Sequence, residues 1–447
     1  MPRGGSGPRM RKRTIVLIGA GSAVFTRGLL ADLILEGSPW DVRLVDINGE
    51  NLSVAYGLAK RMVEARSADI TLSQTSDRRE ALIGADAVVT TIAVGGRRAW
   101  EQDVFIPRKY GIFQPVGDTV MPGGISRALR MIPPLVDIAR DAAALAPKAR
   151  FFNYSNPMSA NCRAIRKAAG VPVVGLCHGV PACEAILAEL AGVSLEKCRF
   201  TAVGINHLTW FTKFEIDGRD AWPVLKKRLE DLAGAGKPLG DYADSPFTFE
   251  MLDVFGAFPA VMDRHITEFF PQLFRDGKHY GKTLGVDRFS FEKTIENGDR
   301  GFKAMADQAA GRAPLDESVF RRSGGEHEKL VEILDAFESV TPRAYSVNVP
   351  NTGQVTNISR DFVIECPAQV SIKGVTPVAL GAVPTGVRAT VEKALLAVEL
   401  TVEAALERSR RKLVQALIFD GSVNSTSDAS KLADDLLAAH KEFLPGW

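Results

Sequence analysis

The stretch Thr14-Ile-Val-Leu-Ile-Gly-Ala-Gly-Ser-Ala-Val-Phe25 decides the fold of this 447-residue chain. Five apolar or β-branched residues precede Gly19-x-Gly21, and a helix-like segment follows. A strand that leads through a glycine-rich turn into a helix is typical of dinucleotide-binding domains, where the turn and the helix N-terminus hold a pyrophosphate. The third glycine of the usual fingerprint is absent, because position 24 is Val. We expect Gly19, Gly21 and Ser22 to bind the cofactor.

A second predicted strand supports this interpretation. It covers residues 41–46 and ends in Asp46. In dinucleotide-binding domains an acidic residue at this point binds the ribose hydroxyls, and it favours NAD over NADP because it repels a 2′-phosphate. The predicted cofactor is therefore NAD, with Asp46 as a further binding residue.

The remaining pattern predicts an α/β protein. Strand-like runs at 86–93, 150–154 and 172–176 alternate with amphipathic segments, which is typical of βαβ units in a doubly wound parallel sheet. After residue 198 the pattern changes to adjoining strands and long helices. We expect a flexible leader at 1–13, a Rossmann-like NAD-binding domain at 14–198, and a mixed α+β domain at 199–447 for substrate, metal and oligomer contacts. This organisation resembles that of lactate and malate dehydrogenases.

Composition excludes several classes of partner and compartment. The chain has 55 basic and 53 acidic residues, so no broad positive surface is available for nucleic acid. No stretch approaches the roughly 20 apolar residues of a membrane span. Five cysteines are few and odd in number, which argues against a disulfide framework and for a reducing compartment. We therefore expect a cytoplasmic protein that binds neither nucleic acid nor membrane.

Two segments carry candidate metal ligands. Cys177 and His178 follow the predicted strand 172–176 at its carboxyl end, where open α/β sheets place ligand sites. His207 follows thirty residues later in Gly204-Ile-Asn-His. Thiolate and imidazole both suit a transition metal. Either residue type is also common in a purely structural position, so spacing alone leaves both interpretations open.

Several motifs together resemble glycoside hydrolase family 4, the NAD-dependent and divalent-metal-dependent glycosidases. The resemblance covers nearly the whole chain. The matching segments are Ile18-Gly-Ala-Gly-Ser-Ala-Val-Phe, Val94-Gly-Gly, Tyr110-Gly-Ile, Gly117-Asp-Thr, Pro122-Gly-Gly-Ile, Asn153, Asn156-Pro-Met, Gly175-Leu-Cys-His-Gly, Gly204-Ile-Asn-His and Asn348-Val-Pro-Asn.

The resemblance implies hydrolysis by a redox route, unlike the two-carboxylate scheme of most glycosidases. NAD oxidises C3 of the sugar, a base removes the C2 proton, the glycosidic oxygen leaves from C1, water adds, and NADH reduces the ketone. A metal held by Cys177 and His207, Mn²⁺ or another divalent ion, binds the sugar oxygens. His178 then contacts the sugar, protonates the leaving group, or orients the ligand beside it. The resemblance also implies a homo-oligomer, a dimer or a tetramer.

The proton acceptor is harder to place. Asp263 is the first candidate, since Val261-Met-Asp-Arg-His-Ile-Thr-Glu268 packs three titratable groups into an otherwise apolar segment. The alternative for this segment is a solvated helix cap. Asp118 of Gly-Asp-Thr is either an acid of the site or a turn residue. The predicted sugar-binding residues are Asn153, Asn156, His265 and Glu268.

The Cys-His pair resembles the branch of the family that acts on unphosphorylated α-glycosides. The expected substrate is an α-hexuronide, an α-glucoside or an α-galactoside. For a uronate carboxylate, Arg97, Arg98 and Arg264 are candidate partners, although surface arginines are commonly solvated.

Two other classes of protein compete with the glycosidase. A 2-hydroxyacid dehydrogenase shares the Rossmann half and an Asn-Pro after the fourth strand, but works without a metal and releases NADH. A non-catalytic NAD-sensing regulator is the second alternative, and the presence of candidate metal ligands argues against it.

Overall fold

The computed structural model describes residues 12–234, 245–275, 290–320 and 329–447. Residues 1–11 of the predicted leader lie outside the described residues, and Arg13 already begins the first strand. Among the described helices, none has the length and apolar character needed to cross a lipid bilayer.

The strands are β1 (Arg13–Ile18), β2 (Trp40–Val45), β3 (Ile70–Thr75), β4 (Ala87–Thr90), β5 (Arg150–Asn153), β6 (Val173–Gly175), β7 (Cys198–Ile205), β8 (Leu208–Ile216), β9 (Arg219–Asp220), β10 (Phe258–Pro259), β11 (Arg343–Pro350), β12 (Val363–Ser371) and β13 (Gly374–Pro377). The helices are α1 (Ala23–Glu36), α2 (Gly49–Arg66), α3 (Arg78–Leu82), α4 (Gly96–Arg108), α5 (Met121–Leu145), α6 (Met158–Ala169), α7 (Gly179–Ala191), α8 (Trp222–Gly234), α9 (Pro246–Phe255), α10 (Met262–Ile266), α11 (Phe291–Ala309), α12 (Leu330–Ala336), α13 (Thr385–Glu407), α14 (Arg410–Asp420) and α15 (Thr426–Ala439).

The described residues form two compact units, and the first contains 12–92, 138–152 and 299–320. Its strands lie in the order β3, β2, β1, β4, β5, and the first four are parallel. This is the strand order of dinucleotide-binding domains. The predicted parallel α/β fold is therefore confirmed.

A late segment of the chain completes the first unit. Residues 317–320 pack against α1. The guanidinium of Arg61 on α2 donates hydrogen bonds to the carbonyl oxygens of Gln308 and Ala313, the latter at 3.1 Å. Gly57, also on α2, faces Ala309 so closely that a Cβ would lie 3.3 Å from the alanine methyl. The segment thus covers a face of the two helices that follow β1 and β2.

The second unit contains residues 93–137, 153–298 and 329–447 among those described. Its strands lie in the order β6, β11, β12, β7, β8, β10, and the pairs from β11 onward are antiparallel. A core cluster that includes Phe211, Phe214 and Phe258 packs α7, α8 and α9 on this sheet. A turn at Asp217-Gly218 joins β8 to β9, with both residues at positive φ.

A fully buried ion pair ties α4, α5 and the chain terminus together within the second unit. Arg130 donates to both oxygens of Asp103 at 2.7 Å, and Ser126 donates to one of them at 2.7 Å. His440, which follows α15, places its Nε2 2.9 Å from Asp103. Burial raises the pKa of Asp103, but the Arg130 and His440 interactions outweigh it, so the pKa is lowered overall. The carboxylate is therefore ionised and paired.

Candidate functional site

The glycine-rich turn and Asp46 lie together in the first unit. Gly19 has φ of 95°, and a Cβ there would lie 2.5 Å from the Ile92 nitrogen, so only glycine fits. The Gly21 N–H donates to Asp46 Oδ2 at 2.8 Å, and Asn48 N–H donates to Oδ1 at 2.8 Å. These bonds hold the turn against the carboxyl end of β2.

Ser22 is the N-cap residue of α1, and its side chain forms no capping hydrogen bond. The first N–H groups of this 14-residue helix have no intrahelical acceptor, as at every helix start. The structure thus brings together all four residues that the sequence assigned to the cofactor, at a helix N-terminus suited to an anion.

Three residues in the second unit form a cluster with the character of a metal site. The ligand atoms of Asp118, His207 and His265 all lie within 4.8 Å of one another. Asp118 precedes α5, His207 occupies the turn between β7 and β8, and His265 lies near the end of α10. The sequence placed these residues in three different roles, and the structure places them side by side. Two imidazoles and a carboxylate are a donor set that accepts a divalent transition metal.

Hydrogen bonds assign the tautomer of His207. Thr119 Oγ1 donates to Asp118 Oδ1 at 2.7 Å, so its oxygen accepts from His207 Nδ1 at 2.8 Å. The ring proton therefore lies on Nδ1, which leaves the lone pair of Nε2 free. Burial lowers the pKa of His207 to about 4, so the ring is neutral at pH 7. A neutral imidazole with a free nitrogen is the form that binds a metal ion.

His265 and Asp118 are also in the protonation states that suit a metal ion. Burial lowers the pKa of His265 well below its ordinary value, and His265 Nδ1 has no hydrogen-bond partner among the described residues. Burial raises the pKa of Asp118, but His207, His265 and Arg127 outweigh it, and the pKa falls to about 2. Asp118 is thus a carboxylate at neutral pH and has no proton to give as a general acid.

Cys177 and His178 lie between β6 and α7. The Gly179 N–H is directed at Cys177 Sγ, at 3.4 Å. His178 is close enough to the cluster to lower the pKa of both His207 and His265. Of the predicted metal pair, His207 belongs to the three-residue cluster, whereas Cys177 lies outside that set of three.

Asp263, the predicted proton acceptor, is fully buried and points to a helix terminus. Its carboxylate accepts hydrogen bonds from Phe247 N–H at 3.0 Å and from the N–H and hydroxyl of Thr248, both at 2.6 Å. These donors belong to the first turn of α9, where an acidic side chain stabilises the exposed N–H groups. Asp263 therefore caps a helix from a buried position, whereas the alternative stated for this segment was a solvated helix cap.

Glu268 anchors the loop that carries Asp118. Its Oε1 accepts from the N–H groups of Val116 and Gly117 at 2.9 and 2.8 Å, and the side chain is 2% exposed. Burial raises the pKa of Glu268 to about 8, although both backbone bonds lower it. The sequence predicted a sugar contact here, whereas the contacts seen are with the protein backbone.

The two asparagines differ in position. Asn153 is fully buried and donates to the Ser155 carbonyl at 2.9 Å, so it supports the turn that follows β5. Asn156 donates to Asp118 Oδ2 at 3.0 Å and thus borders the cluster. Arg127 donates to the Asn156 carbonyl at 3.1 Å. Sequence reasoning missed Arg127, because nothing in the repeated apolar spacing of α5 distinguishes it from a surface arginine.

The arginines proposed for a uronate have other contacts. Arg98 pairs with Glu101 at 2.8 Å on an exposed helix face. Arg264 donates to Thr294 at 3.0 Å at an exposed site. Arg97 packs against Gly298. A Cβ added to Gly298 would lie 2.9 Å from the Cδ of Arg97.

The fold and the cluster define an α/β enzyme that combines a dinucleotide-binding unit with a group of side chains of the kind that binds metal ions. Sequence comparison identifies the family to which this enzyme belongs. The chain belongs to the family 4 glycosyl hydrolases, whose model matches residues 14–193, while the model of the family's C-terminal domain matches residues 202–423. The resemblance inferred from the motifs is therefore confirmed, and the protein is a glycoside hydrolase.

Relatives named as glycosidases align with nearly the full length of this chain. An α-galactosidase from Rhizobium meliloti (strain 1021) is 32% identical over 96% of this chain and 89% of its own length. An α-galacturonidase from Bacillus subtilis (strain 168) is 31% identical over 95% of this chain and 96% of its own length.

Solved structures show the same fold. A 6-phospho-α-glucosidase from gut microorganisms, in complex with NAD and Mn²⁺, superposes with a TM-score of 0.82 and covers 97% of this chain and 99% of its own, at 21% identity. A malate dehydrogenase from Cryptosporidium parvum gives a TM-score of 0.53 at 15% identity, over 89% of this chain and 100% of its own. The dehydrogenase-like architecture is thus confirmed, and the alternative of a dehydrogenase activity is not favoured.

Proposed function

We propose that this enzyme hydrolyses unphosphorylated α-glycosides, either α-hexuronides or α-glucosides and α-galactosides, with NAD and a divalent metal ion. The observation that carries the proposal is the cluster of Asp118, His207 and His265, with His207 buried, in a chain of this family. The names of the relatives support an α-linked substrate without phosphate.

The residues of the cluster fit a divalent metal such as Mn²⁺. His207 would bind through Nε2, because its Nδ1 is bonded to Thr119. The carboxylate of Asp118 adds an oxygen donor, and His265 Nδ1, which has no hydrogen-bond partner among the described residues, adds a nitrogen donor. Cys177, from the adjoining loop, is the further proposed ligand. When bound, the ion supplies Lewis-acid stabilisation of negative charge on the sugar oxygens.

The residues of the first unit fit NAD. The turn from Gly19 to Ser22 lacks side-chain bulk and leads into the N-terminus of α1, which would hold the pyrophosphate. Asp46 has a lone pair left on each oxygen after its two backbone bonds and would bind the ribose hydroxyls. When bound, NAD would supply a reversible hydride acceptor beside the sugar.

His178 is the residue we propose for proton transfer to the leaving group. It is the N-cap residue of α7 and borders the cluster without belonging to it. Asp118 does not fill this role, because a carboxylate with a pKa of about 2 holds no proton at neutral pH. We do not propose Asp263 as the proton acceptor, because three donors already engage it.

A panel of nitrophenyl α- and β-glycosides and glycosiduronates tests the proposal, with NAD and Mn²⁺ each added or omitted under reducing conditions. We expect release of nitrophenol from an unphosphorylated α-glycoside only when both are present. Absorbance at 340 nm should show no net NADH, because the cofactor is restored in each cycle. Steady NADH accumulation, or full activity without Mn²⁺, would contradict the proposed route.

We further propose that the enzyme works in the cytoplasm as a homo-oligomer, a dimer or a tetramer. All five cysteines are free thiols, which suits a reducing compartment. The oligomer is expected from the family resemblance. Light scattering after size exclusion measures its mass against the 48.3 kDa of one chain, and a mass of one chain at micromolar concentration would refute it.

A further inference from the structure

Glu365 is a buried carboxyl group that the proposed chemistry does not use. It lies on β12 with 1% of its surface exposed, and its backbone pairs with Gly204 of β7. Gly204 comes three residues before His207, so the sheet places this side chain beside the turn that carries the histidine. A buried carboxyl group needs polar partners, because its removal from water is costly.

The partners of Glu365 lie on both sides of His207 in the sequence. Thr209 Oγ1 donates to Glu365 Oε2 at 2.8 Å. Burial raises the pKa of Glu365 to about 7, while Thr209 and Asn206 lower it. The Asn206 amide forms no well-aligned hydrogen bond within the described part of the chain, so the Thr209 bond is the firmer of the two contacts.

The turn itself has an unfavourable backbone conformation. Ile205 of β7 pairs with Leu208 of β8, so only Asn206 and His207 join the two strands. His207 has φ of 67°, in the left-handed region that few residues with a side chain adopt. The strands approach so closely that a Cβ on Gly204 would lie 2.2 Å from the Leu208 carbonyl oxygen. Such conformations persist where surrounding contacts hold them, frequently at functional sites.

We propose that Glu365 is a positioning residue that holds this turn, so that His207 keeps Nδ1 bonded to Thr119 and presents Nε2 to the metal ion. The inference rests on the metal site of the proposed function. Glu365 contacts neither the ion nor the sugar and acts through His207. Residues that orient a metal-bound histidine typically change metal affinity when they are removed.

Three variants separate this role from general destabilisation. Glu365→Ala removes the carboxyl group, Thr209→Val removes the hydroxyl donor and keeps the side-chain shape, and Glu365→Gln keeps an acceptor for the hydroxyl. Mn²⁺ is titrated into the full NAD-free chain, and free Mn²⁺ is measured by electron paramagnetic resonance. We expect the first two variants to weaken Mn²⁺ binding by about 10- to 100-fold and Glu365→Gln to bind like the wild type.

A matched control is Glu184→Ala on α7, which removes another carboxyl group whose pKa burial raises to about 7. It should leave Mn²⁺ affinity unchanged. NAD affinity should be unchanged in every variant, since the residues proposed to bind NAD lie in the first unit. Should Glu365→Ala fail to fold, Thr209→Val carries the test.

A second measurement needs no metal. The ring nitrogens of the six histidines can be observed by ¹⁵N NMR in the metal-free protein, and His207→Asn identifies the signals of His207. The wild type should show His207 protonated at Nδ1 alone, and Thr209→Val should show mixed tautomers. Wild-type Mn²⁺ affinity in folded Thr209→Val, together with an unchanged tautomer, overturns the inference. If the wild type binds no Mn²⁺, the proposed function fails, and the tautomer alone then decides the role of Glu365.

Discussion

The carboxyl group of Glu268 should make the stability of this enzyme depend on pH in a direction opposite to that of most acidic residues. In the folded chain it is buried against the N–H groups of Val116 and Gly117, and its pKa is raised to about 8. The protonated form is therefore favoured by folding. Replacement by Gln keeps an acceptor for both N–H groups and mimics the protonated acid, but it cannot ionise.

The direction of this pH dependence follows from the difference in the pKa of Glu268 between the folded and the unfolded chain. In the unfolded chain Glu268 ionises near its ordinary value of 4.5, whereas the folded chain resists ionisation until about pH 8. The stability that this group contributes is complete below about pH 4.5 and is lost as the pH rises toward 8. At about 1.4 kcal/mol per pKa unit, the wild type loses on the order of 3 to 4 kcal/mol between pH 5 and pH 8 through this one group. Glu268→Gln loses none of it.

Thermal unfolding of both proteins at pH 5, 6.5 and 8 measures the effect. The melting temperature of the wild type should fall between pH 5 and 8 by about 4 to 7 °C more than that of Glu268→Gln, since a given free energy shifts a long chain less than a short one. Glu196→Gln, at an exposed position, is the control and should follow the wild type. Parallel pH profiles for wild type and Glu268→Gln would refute the reasoning.

Three further predictions concern the two sites and the core. Cys177→Ser should abolish metal-dependent turnover and leave NAD binding intact, as measured by a nitrophenyl assay and by NAD titration; survival of hydrolysis would remove Cys177 from the ligand set. Gly21→Ala should destabilise the protein by about 1 to 3 kcal/mol and weaken NAD binding, because its Cβ would lie 2.7 to 2.8 Å from atoms already in place. Arg130→Met should cost about 3 to 5 kcal/mol in urea unfolding, because it leaves Asp103 charged and buried without its main partner; a cost under about 1 kcal/mol would contradict this assignment.

Local sequence patterns were enough to predict the first sheet. The run before Gly19 is apolar because β1 is buried on both faces, and the predicted start and end differ from β1 by at most one residue. The same holds for residues 41–46, which correspond to β2. β3 was missed, since Ile70–Thr75 mixes exposed polar and partly buried residues and carries little strand signal.

The sequence pattern predicted the helices less accurately than the strands of the first sheet. Among the long helices expected after residue 198, α13 and α14 are two separate helices, and they are divided where Arg408 adopts a left-handed backbone conformation. An arginine gives no warning of such a turn, whereas a glycine would have done so. The 25-residue α5 lies in the amphipathic segment between the predicted strands at 86–93 and 150–154, although Pro133 and Pro134 lie inside it and prolines normally argue against a helix.

The site is formed by contacts between distant segments of the chain, and the spacing of residues in the sequence does not reveal such contacts. Asp118, His207 and His265 come from segments that are far apart in the chain, so no local pattern predicts that they meet. Within one short segment, Asp263 and His265 are two positions apart and serve different neighbours, a helix terminus and the cluster. The sequence singled out these residues, but which polar side chain faces which neighbour is decided by the packing.

The segment 299–320 has a consequence for how the protein can be made. It packs on α1 and α2, yet it is synthesised more than two hundred residues after them. A ribosome must therefore release most of the polypeptide before the first unit can close. A recombinant fragment that stops at residue 198 would leave Gly57 and Arg61 without their neighbours and exposed to solvent. Biosensor or split-enzyme designs based on the dinucleotide-binding half should retain residues 299–320 or supply them as a separate peptide.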